Sequence, residues 1–140
     1  MIPVMQDKFG YGGNCMSAAI ASMLNKTLDQ VPYFAEGLTD QTKDEENAKI
    51  FFNRIKEYLE KLGCELLWYP LDQKDFKEKI IDAGSYYLVS GKSPRGYSHV
   101  VIYRNGELAH DPHPEGGGVI PEHVGALFSL ENLVKISGEI

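Results

Sequence analysis

The sequence predicts an α+β domain in which helices come first and antiparallel strands follow. Helical apolar patterns occupy the first half of the 140-residue chain, and short apolar runs separated by turn signals occupy the second half. The pair Asn105-Gly106 is a strong hairpin signal, so the strands that flank it are expected to be antiparallel. With 43% hydrophobic and 24% charged residues, residues 1–140 are predicted to form one domain with one core.

Three helices are predicted. The first runs from about Cys15 to Leu24, because its residues are apolar on nearly every side, as in a buried helix. Asn14 precedes it and is a natural N-cap. The second spans about Asp44–Leu62, where apolar residues recur at spacings of three and four before Gly63. The third spans Asp72–Ala83.

The predicted strands lie mainly in the second half of the chain. Pro112–Gly118 is expected to be a loop, and no strand is predicted between this loop and the last strand. Trp68, Tyr86 and Tyr87 alternate with apolar residues, which core packing explains. The five predicted strands are residues 64–69, 86–89, 98–103, 107–111 and 133–136.

Charge and hydropathy exclude several classes of protein. The chain has 14 basic and 20 acidic side chains and no basic run, so a nucleic-acid partner is not expected. No apolar run approaches the length of a membrane span, and the N-terminus lacks the features of a signal peptide. We therefore predict a cytoplasmic protein with neither a nucleic-acid nor a membrane partner.

Cys15 is the most informative residue. It opens the first predicted helix, and the partial positive charge of a helix N-terminus favours a thiolate over a thiol. Cys64 follows Gly63 at the start of a predicted strand and is interpreted as a small buried hydrophobic residue. In a reducing compartment the two cysteines are expected to stay apart.

A cysteine nucleophile needs a base and a group that orients the base. Of the four histidines, His99 stands at the head of a predicted strand, where a rigid backbone can aim its ring. Asp111 stands at the end of the next strand. The chain therefore presents Cys15, His99 and Asp111 in the order that thiol catalysis can use.

This ordered set resembles the papain-like cysteine peptidase superfamily. It is most similar to the compact bacterial branch that includes the double-glycine-leader peptidases of bacteriocin exporters. The resemblance implies a papain-like fold with the first helix packed on an antiparallel sheet, and it implies no cofactor. The residues that carry it are Gln6, Gly13-Asn14-Cys15-Met16-Ser17-Ala18-Ala19, Ser98-His99-Val100-Val101-Ile102 and Asp111-Pro112.

The resemblance also implies a role for each site residue. Cys15 would be the nucleophile, His99 the general base and acid, and Asp111 the group that orients His99. Gln6 would donate a side-chain N–H to the oxyanion, together with the backbone N–H of Cys15. The separation of Gln6 from Cys15 is longer than is usual in the family, so the glycine-rich loop between them must bulge; Asn14 is the nearest alternative amide donor.

Hairpin geometry tests the assignment of Asp111. In a two-residue loop closed by Arg104 and Glu107, Asp111 points away from His99. In a three-residue loop closed by Tyr103 and Glu107, Asp111 lies directly opposite His99. We expect the three-residue loop, because it pairs the two side chains without further distortion.

Other polar residues are candidates for substrate binding. Arg95 lies in the turn-rich loop before the His99 strand and is predicted to contact a substrate carboxylate or carbonyl. His110 and His113 are expected to line the rim of the active site. A metal cluster of His110, Asp111, His113 and His123 is the alternative, but no tetrahedral ligand spacing recurs, so no metal is predicted.

The predicted function is a thiol hydrolase, first a cysteine peptidase, that cleaves an amide bond of a peptide or a small amide through an acyl-enzyme. Amidase, deamidase and acyltransferase activities use the same triad and remain open, because water, an amine or another acceptor can resolve the thioester. A papain-like binding domain without a competent site is the non-enzymatic alternative.

Overall fold

The computed structural model describes residues 1–38, 45–72, 81, 84–129 and 135–136. In this part of the chain, helices and one antiparallel sheet confirm the predicted α+β class. The predicted third helix lies largely outside the described residues. The elements are helices α1 (Cys15–Met23) and α2 (Glu45–Lys61), and strands β1 (Cys64–Pro70), β2 (Tyr86–Lys92), β3 (Ser98–Arg104), β4 (Glu107–His110), β5 (Ile120–Ser129) and β6 (Lys135–Ile136).

Helix α1 is enclosed by protein. Every residue after Cys15 in this helix is buried, which agrees with its apolar sequence. Three alanines without exposed surface, Ala18, Ala19 and Ala21, let neighbouring segments approach closely. Within the described residues, neither helix is long and apolar enough to cross a membrane.

The sheet has the strand order β1-β5-β2-β3-β4, and β6 pairs with the far end of β5. Strand β5 lies between β1 and β2, yet the sequence analysis assigned no strand there. Pro121 and Gly125 interrupt its apolar pattern, and both residues are typical of breaks in strands. Gly125 is required by packing, since a Cβ at this position would lie 2.4 Å from the ring of Trp68.

Both faces of the sheet carry buried side chains. The two helices pack with Leu88, Ile102 and Leu127 in the larger cluster. A smaller cluster on the second face includes Tyr87 and Val101. The first turn of α1 and the beginning of β3 thus belong to one packed body, which places Cys15 near His99.

Candidate active site

Cys15, His99 and Asp111 form one connected chain of side chains. The His99 Nε2 atom lies 2.6 Å from Asp111 Oδ1, and these side chains are only 5% and 6% exposed. Cys15 lies close enough to His99 to raise the pKa of the ring, and both residues line one cavity. Because Asp111 occupies Nε2, Nδ1 is the ring nitrogen left for the thiol. The structure therefore brings the three predicted residues together.

The protonation of His99 and Asp111 is set by their contact. Burial by itself would lower the pKa of His99, but hydrogen bonds and charges from Asp111 and Cys15 raise it to about 9. Burial would raise the pKa of Asp111, but the hydrogen bond from His99 and two backbone N–H groups lower it to about 2. At neutral pH the ring is therefore an imidazolium beside a carboxylate.

The hairpin that joins β3 and β4 differs from the expected one. Arg104 pairs with Glu107 across a two-residue loop, so the predicted three-residue loop is wrong. Asn105 and Gly106 both have positive φ, of 55° and 79°, as a type I′ turn requires. This turn matches the right-handed twist of the flanking strands, which explains why Asn-Gly selects it here.

A β-bulge further along β4 restores the position of Asp111. Tyr103 pairs with Leu108 but Ile102 pairs with His110, so Ala109 is an extra residue. The next pair in this shifted register joins Asp111 to Val101. Val101 lies on the same face of β3 as His99. If Ala109 were instead paired with Ile102 in a regular ladder, Asp111 would lie beside Val100 and point to the opposite face.

The loop after β4 wraps around the Asp111 carboxylate. The backbone N–H of His113 donates to Oδ1 at 2.9 Å, and the N–H of Gly118 donates to Oδ2 at 2.9 Å. Both carboxylate oxygens therefore have donors besides His99. These bonds hold the carboxylate in the orientation that keeps His99 facing Cys15.

The N-terminal segment reaches the site through backbone hydrogen bonds. The Gln6 N–H donates to the Pro112 carbonyl at 3.0 Å, and the Val4 N–H donates to Ser22 Oγ in α1 at 2.9 Å. His110 Nε2 donates to the Val4 carbonyl at 2.7 Å. The segment is thus attached to both α1 and the Asp111 loop, and Gln6 reaches the cavity beside Cys15.

The loop between Gln6 and Cys15 bulges, as its length requires. Asn14 closes it: Asn14 Oδ1 accepts the backbone N–H groups of Asp7 and Lys8 at 3.1 and 2.9 Å, and its amide donates to Asp7 Oδ1 at 2.8 Å. Gly13 packs inside the bulge, where a Cβ would lie 2.9 Å from the Gly10 carbonyl oxygen. The loop folds back on itself and keeps Gln6 close to Cys15.

Asn14 therefore has a different role from the one expected. It occupies the N-cap position of α1, as predicted, but its side chain makes no capping bond there. The side chain is 94% buried and bonded within the loop, and it does not line the cavity beside Cys15. The geometry consequently gives no support to Asn14 as a substrate or oxyanion donor.

The side chain of Gln6 is 94% buried. Its Nε2 donates to the Lys8 carbonyl at 2.8 Å, which leaves the second hydrogen of the amide for another acceptor. Cys15 opens α1, and the first backbone N–H groups of a helix have no partner within the helix. Gln6 lines the same cavity as Cys15, so its amide and the Cys15 backbone N–H are the candidate oxyanion donors.

A small cavity of about 70 Å³ lies beside Cys15. A larger groove of about 480 Å³ between α2 and β1 is lined by none of the three central residues. The walls of the small cavity are Gln6, Phe9, Gly10, Cys15, Ser93, Arg95, Tyr97, Ser98, His99 and His113.

Arg95 and His113 lie in this cavity as predicted, whereas His110 does not. Arg95 Nη1 donates to the Gly116 carbonyl at 2.8 Å, which connects the turn before β3 to the Asp111 loop. The His113 ring packs edge-on against His99, with centroids 6.1 Å apart. Burial, followed by the charge of Arg95, lowers the pKa of His113, and its Nδ1 accepts the Glu115 N–H at 3.0 Å, which favours the neutral ring near pH 7.

The histidines are distributed among different environments. His110 binds the Val4 carbonyl, and His123 stacks on Trp68 with centroids 6.4 Å apart. Within the described ranges, no group of three or more His, Cys, Asp or Glu side chains could hold a metal ion. Both cysteines are free, and burial raises the pKa of Cys64, which is 93% buried.

Sequence reasoning missed Ser93 as a site residue. Its side chain is 95% buried in the wall of the cavity. A tight turn places it there, since the Ser93 N–H donates to the Tyr97 carbonyl and the Gly96 N–H donates to the Ser93 carbonyl. The Ser-Pro-Arg-Gly sequence signals a turn, but only the packing of that turn against the active site shows where the hydroxyl lies.

Comparisons of the chain with protein-family models, curated proteins and solved structures gave no match. The site is therefore interpreted from its own geometry and chemistry.

Proposed function

We propose that this chain is a thiol hydrolase with a papain-like fold that cleaves an amide bond through Cys15, His99 and Asp111, with peptidase activity as the first choice. The observation that carries the proposal is the buried His99–Asp111 pair beside the partly exposed Cys15. Burying an imidazolium costs desolvation free energy, which the paired carboxylate of Asp111 offsets. Such an arrangement is the one that thiol nucleophiles need.

In the acylation step, the Cys15 thiolate attacks the carbonyl carbon of the amide and forms the carbon–sulfur bond. The π electrons of the carbonyl move to its oxygen, which becomes the oxyanion. The imidazolium of His99 then gives its Nδ1 proton to the amide nitrogen as the carbon–nitrogen bond breaks. The products of this step are an amine and a Cys15 thioester.

In the deacylation step, neutral His99 accepts a proton from water as the water oxygen attacks the thioester. Collapse of the second tetrahedral intermediate breaks the carbon–sulfur bond and returns the thiolate. The acid product leaves, and the imidazolium is restored. Asp111 keeps the ring in one orientation throughout, and the Gln6 amide and the Cys15 backbone N–H stabilise the oxyanion in both steps.

A second candidate function is hydrolysis or deamidation of a small amide. The cavity beside Cys15, at about 70 Å³, admits only a few heavy atoms, which favours a small group or a flexible tail over a long apolar side chain. The chemical steps are the same, and only the amine that leaves differs.

The rate of Cys15 alkylation by iodoacetamide from pH 4 to 9 tests the proposal. The protein carries Cys64→Ala throughout, and His99→Ala and Asp111→Ala variants are measured in parallel. We expect rapid alkylation at acidic pH in the parent protein, because the proposal requires the protonated ring of His99 to activate the Cys15 sulfur. That reactivity should disappear in His99→Ala.

Slow alkylation of Cys15 would contradict the proposal. If alkylation of the parent is slow and rises only near the ordinary thiol pKa of about 8.5, and His99→Ala does not change it, Cys15 is not an activated nucleophile. The chain would then be a binding domain without a competent site.

A further inference from the structure

The cavity beside Cys15 holds buried polar atoms that the triad does not use. Gln6 Oε1, Ser93 Oγ and Arg95 Nη2 are all buried, and none has a hydrogen-bond partner in the part of the chain that the structure describes. All three side chains line this cavity. Buried polar atoms nearly always have partners, so three such atoms around one cavity point to a ligand that supplies them.

The charge of the cavity wall indicates which ligand is missing. Arg95 uses Nη1 on the Gly116 carbonyl, and its guanidinium has no carboxylate within 4 Å among the described residues. The neighbouring His113 accepts the Glu115 N–H at Nδ1, and both oxygens of Asp111 are already bonded. The guanidinium therefore lacks an anion, and the Ser93 hydroxyl offers a second donor beside it.

Resting on the thiol hydrolase function above, we propose that Arg95 and Ser93 form an anion subsite that binds a carboxylate of the substrate next to the scissile amide. The guanidinium fork matches the geometry of a carboxylate, and the serine hydroxyl adds a neutral hydrogen bond. Gln6 Oε1 accepts an N–H of the same substrate. The substrate class is an amide with a carboxylate close to the bond that is cleaved.

The shared cavity places a bound carboxylate close to the sulfur. Arg95, Ser93 and Cys15 all line the same space of about 70 Å³, which holds a small group such as a carboxylate. A group bound between Arg95 and Ser93 therefore lies beside Cys15. The carboxylate is either the C-terminus of a peptide or the side chain of an acidic residue.

Two alkylating reagents isolate the subsite. Iodoacetate and iodoacetamide deliver nearly the same electrophile to Cys15, but only iodoacetate carries a carboxylate. We measure both rates near neutral pH in the Cys64→Ala protein. We expect the iodoacetate rate to saturate with concentration, and the ratio of the iodoacetate to the iodoacetamide rate to exceed that of free cysteine.

Variants of the cavity wall identify the residues responsible. Arg95→Gln should lower the rate ratio by roughly tenfold or more, the factor expected when a charge-assisted hydrogen bond is lost. Ser93→Ala should lower it by less, because a neutral donor is lost. Lys92→Gln removes a like charge from the end of β2, outside the cavity, and should leave the ratio unchanged.

Failure of the subsite is distinguishable from failure of the hydrolase proposal. Slow alkylation of Cys15 by both reagents, insensitive to His99→Ala, overturns both. Fast alkylation by iodoacetamide with a ratio that Arg95→Gln leaves unchanged overturns the subsite alone. An equal loss of both rates in Arg95→Gln also overturns it, because Arg95 would then act through the loop that holds Asp111.

Protection experiments identify the source of the carboxylate. N-acetylglycine carries a terminal carboxylate, N-acetylaspartic acid α-amide carries only a side-chain carboxylate, and N-acetylglycinamide carries neither. Protection of Cys15 from iodoacetamide by the first assigns a C-terminal carboxylate, and protection by the second assigns an acidic side chain. If neither protects better than N-acetylglycinamide, the subsite proposal is wrong.

Discussion

His99 and Asp111 meet at 2.6 Å although the turn between their strands, left to itself, would separate them. The two-residue turn at Asn105-Gly106 sends the residue at position 111 to the face opposite His99. The extra residue Ala109 reverses this alternation. Contact between the two side chains therefore depends on the register of β4.

Deletion of Leu108 and Ala109 together should break this contact. The strand after the turn would then be one residue shorter than the present pairing requires, so Asp111 would lie beside Ile102 and point away from His99. We expect the alkylation of Cys15 at acidic pH to fall roughly 10- to 100-fold, as in Asp111→Ala. Both deleted residues are exposed, so the hairpin should still form; circular dichroism checks this.

Deletion of Ala109 alone is the matched control, because it removes the bulge but leaves His110 paired with Ile102, so Asp111 keeps its face and the reactivity should be retained. If the double-deletion variant folds and Cys15 remains as reactive as in the parent, the register of β4 does not position Asp111.

The stability of the protein should fall with rising pH through the titration of His99. A folded-state pKa raised above the unfolded value of 6.5 stabilises the protein fully below pH 6.5, and this stability is lost as pH rises through the folded value. The measurement uses Cys15→Ser, which removes the titration of the thiol. Urea unfolding should give a free energy that decreases above pH 6.5 by about 1.4 kcal/mol for each pKa unit of the remaining shift.

Asp111→Asn in the same background removes the charge that raises the pKa of His99. Its free energy of unfolding should be lower and nearly independent of pH between 6.5 and 9. Parallel pH dependence in the two proteins would mean that Asp111 does not determine the charge of His99.

Acid should lower the stability of the protein through Asp111, the other member of the pair. The lowered pKa of Asp111 stabilises the fold above its unfolded value of 3.8, and this stability is lost as pH falls through about 2. The contribution of the pair to stability is therefore greatest between about pH 4 and 6.5.

Gln6→Met should lower turnover without lowering the reactivity of the thiol. Methionine has a similar length and no N–H, so the packing is retained while the oxyanion donor is lost. With p-nitrophenyl acetate as the probe, kcat/KM should fall by about 100- to 1000-fold, the usual value of one oxyanion donor. Alkylation by iodoacetamide forms no oxyanion and should be unchanged.

A Gln6→Met variant with the turnover of the parent would exclude Gln6 as an oxyanion donor. A parallel loss of turnover and alkylation would mean that Gln6 supports the structure of the cavity instead.

Asn14→Ala should destabilise the protein, because it removes three hydrogen bonds in the loop before α1. Two backbone N–H groups, of Asp7 and Lys8, would lose their acceptor. Each buried donor left unsatisfied costs about 1–3 kcal/mol, less where water reaches it, so we expect a loss of about 2 kcal/mol in urea unfolding.

A reciprocal exchange provides the control. Asn14→Asp alone puts two carboxylates in contact, whereas Asp7→Asn with Asn14→Asp restores a donor and an acceptor in exchanged positions. The double variant should recover most of the stability that Asn14→Asp loses. If it is no more stable than Asn14→Asp, the contact between the two side chains does not hold the loop.

Local sequence patterns predicted most of the regular structure. The apolar run after Cys15 could only be a helix with no exposed face, and the α2 periodicity and the Asn-Gly turn identified their elements. Strand β5 was missed, because Pro121 and Gly125 break its pattern for reasons of pairing and packing. The need for glycine at position 125 exists only once the Trp68 ring lies against it.

The sequence by itself determined the chemistry of this protein: a cysteine at a helix start, a histidine on a strand and an aspartate after the next strand. Only the tertiary structure decided how they meet, through the bulge at Ala109 and the folded loop closed by Asn14. It also gave Ser93 its place in the cavity and removed Asn14 from it. The physical reason is that residue types limit which reactions are possible, whereas strand register and loop closure depend on contacts between segments far apart in the chain.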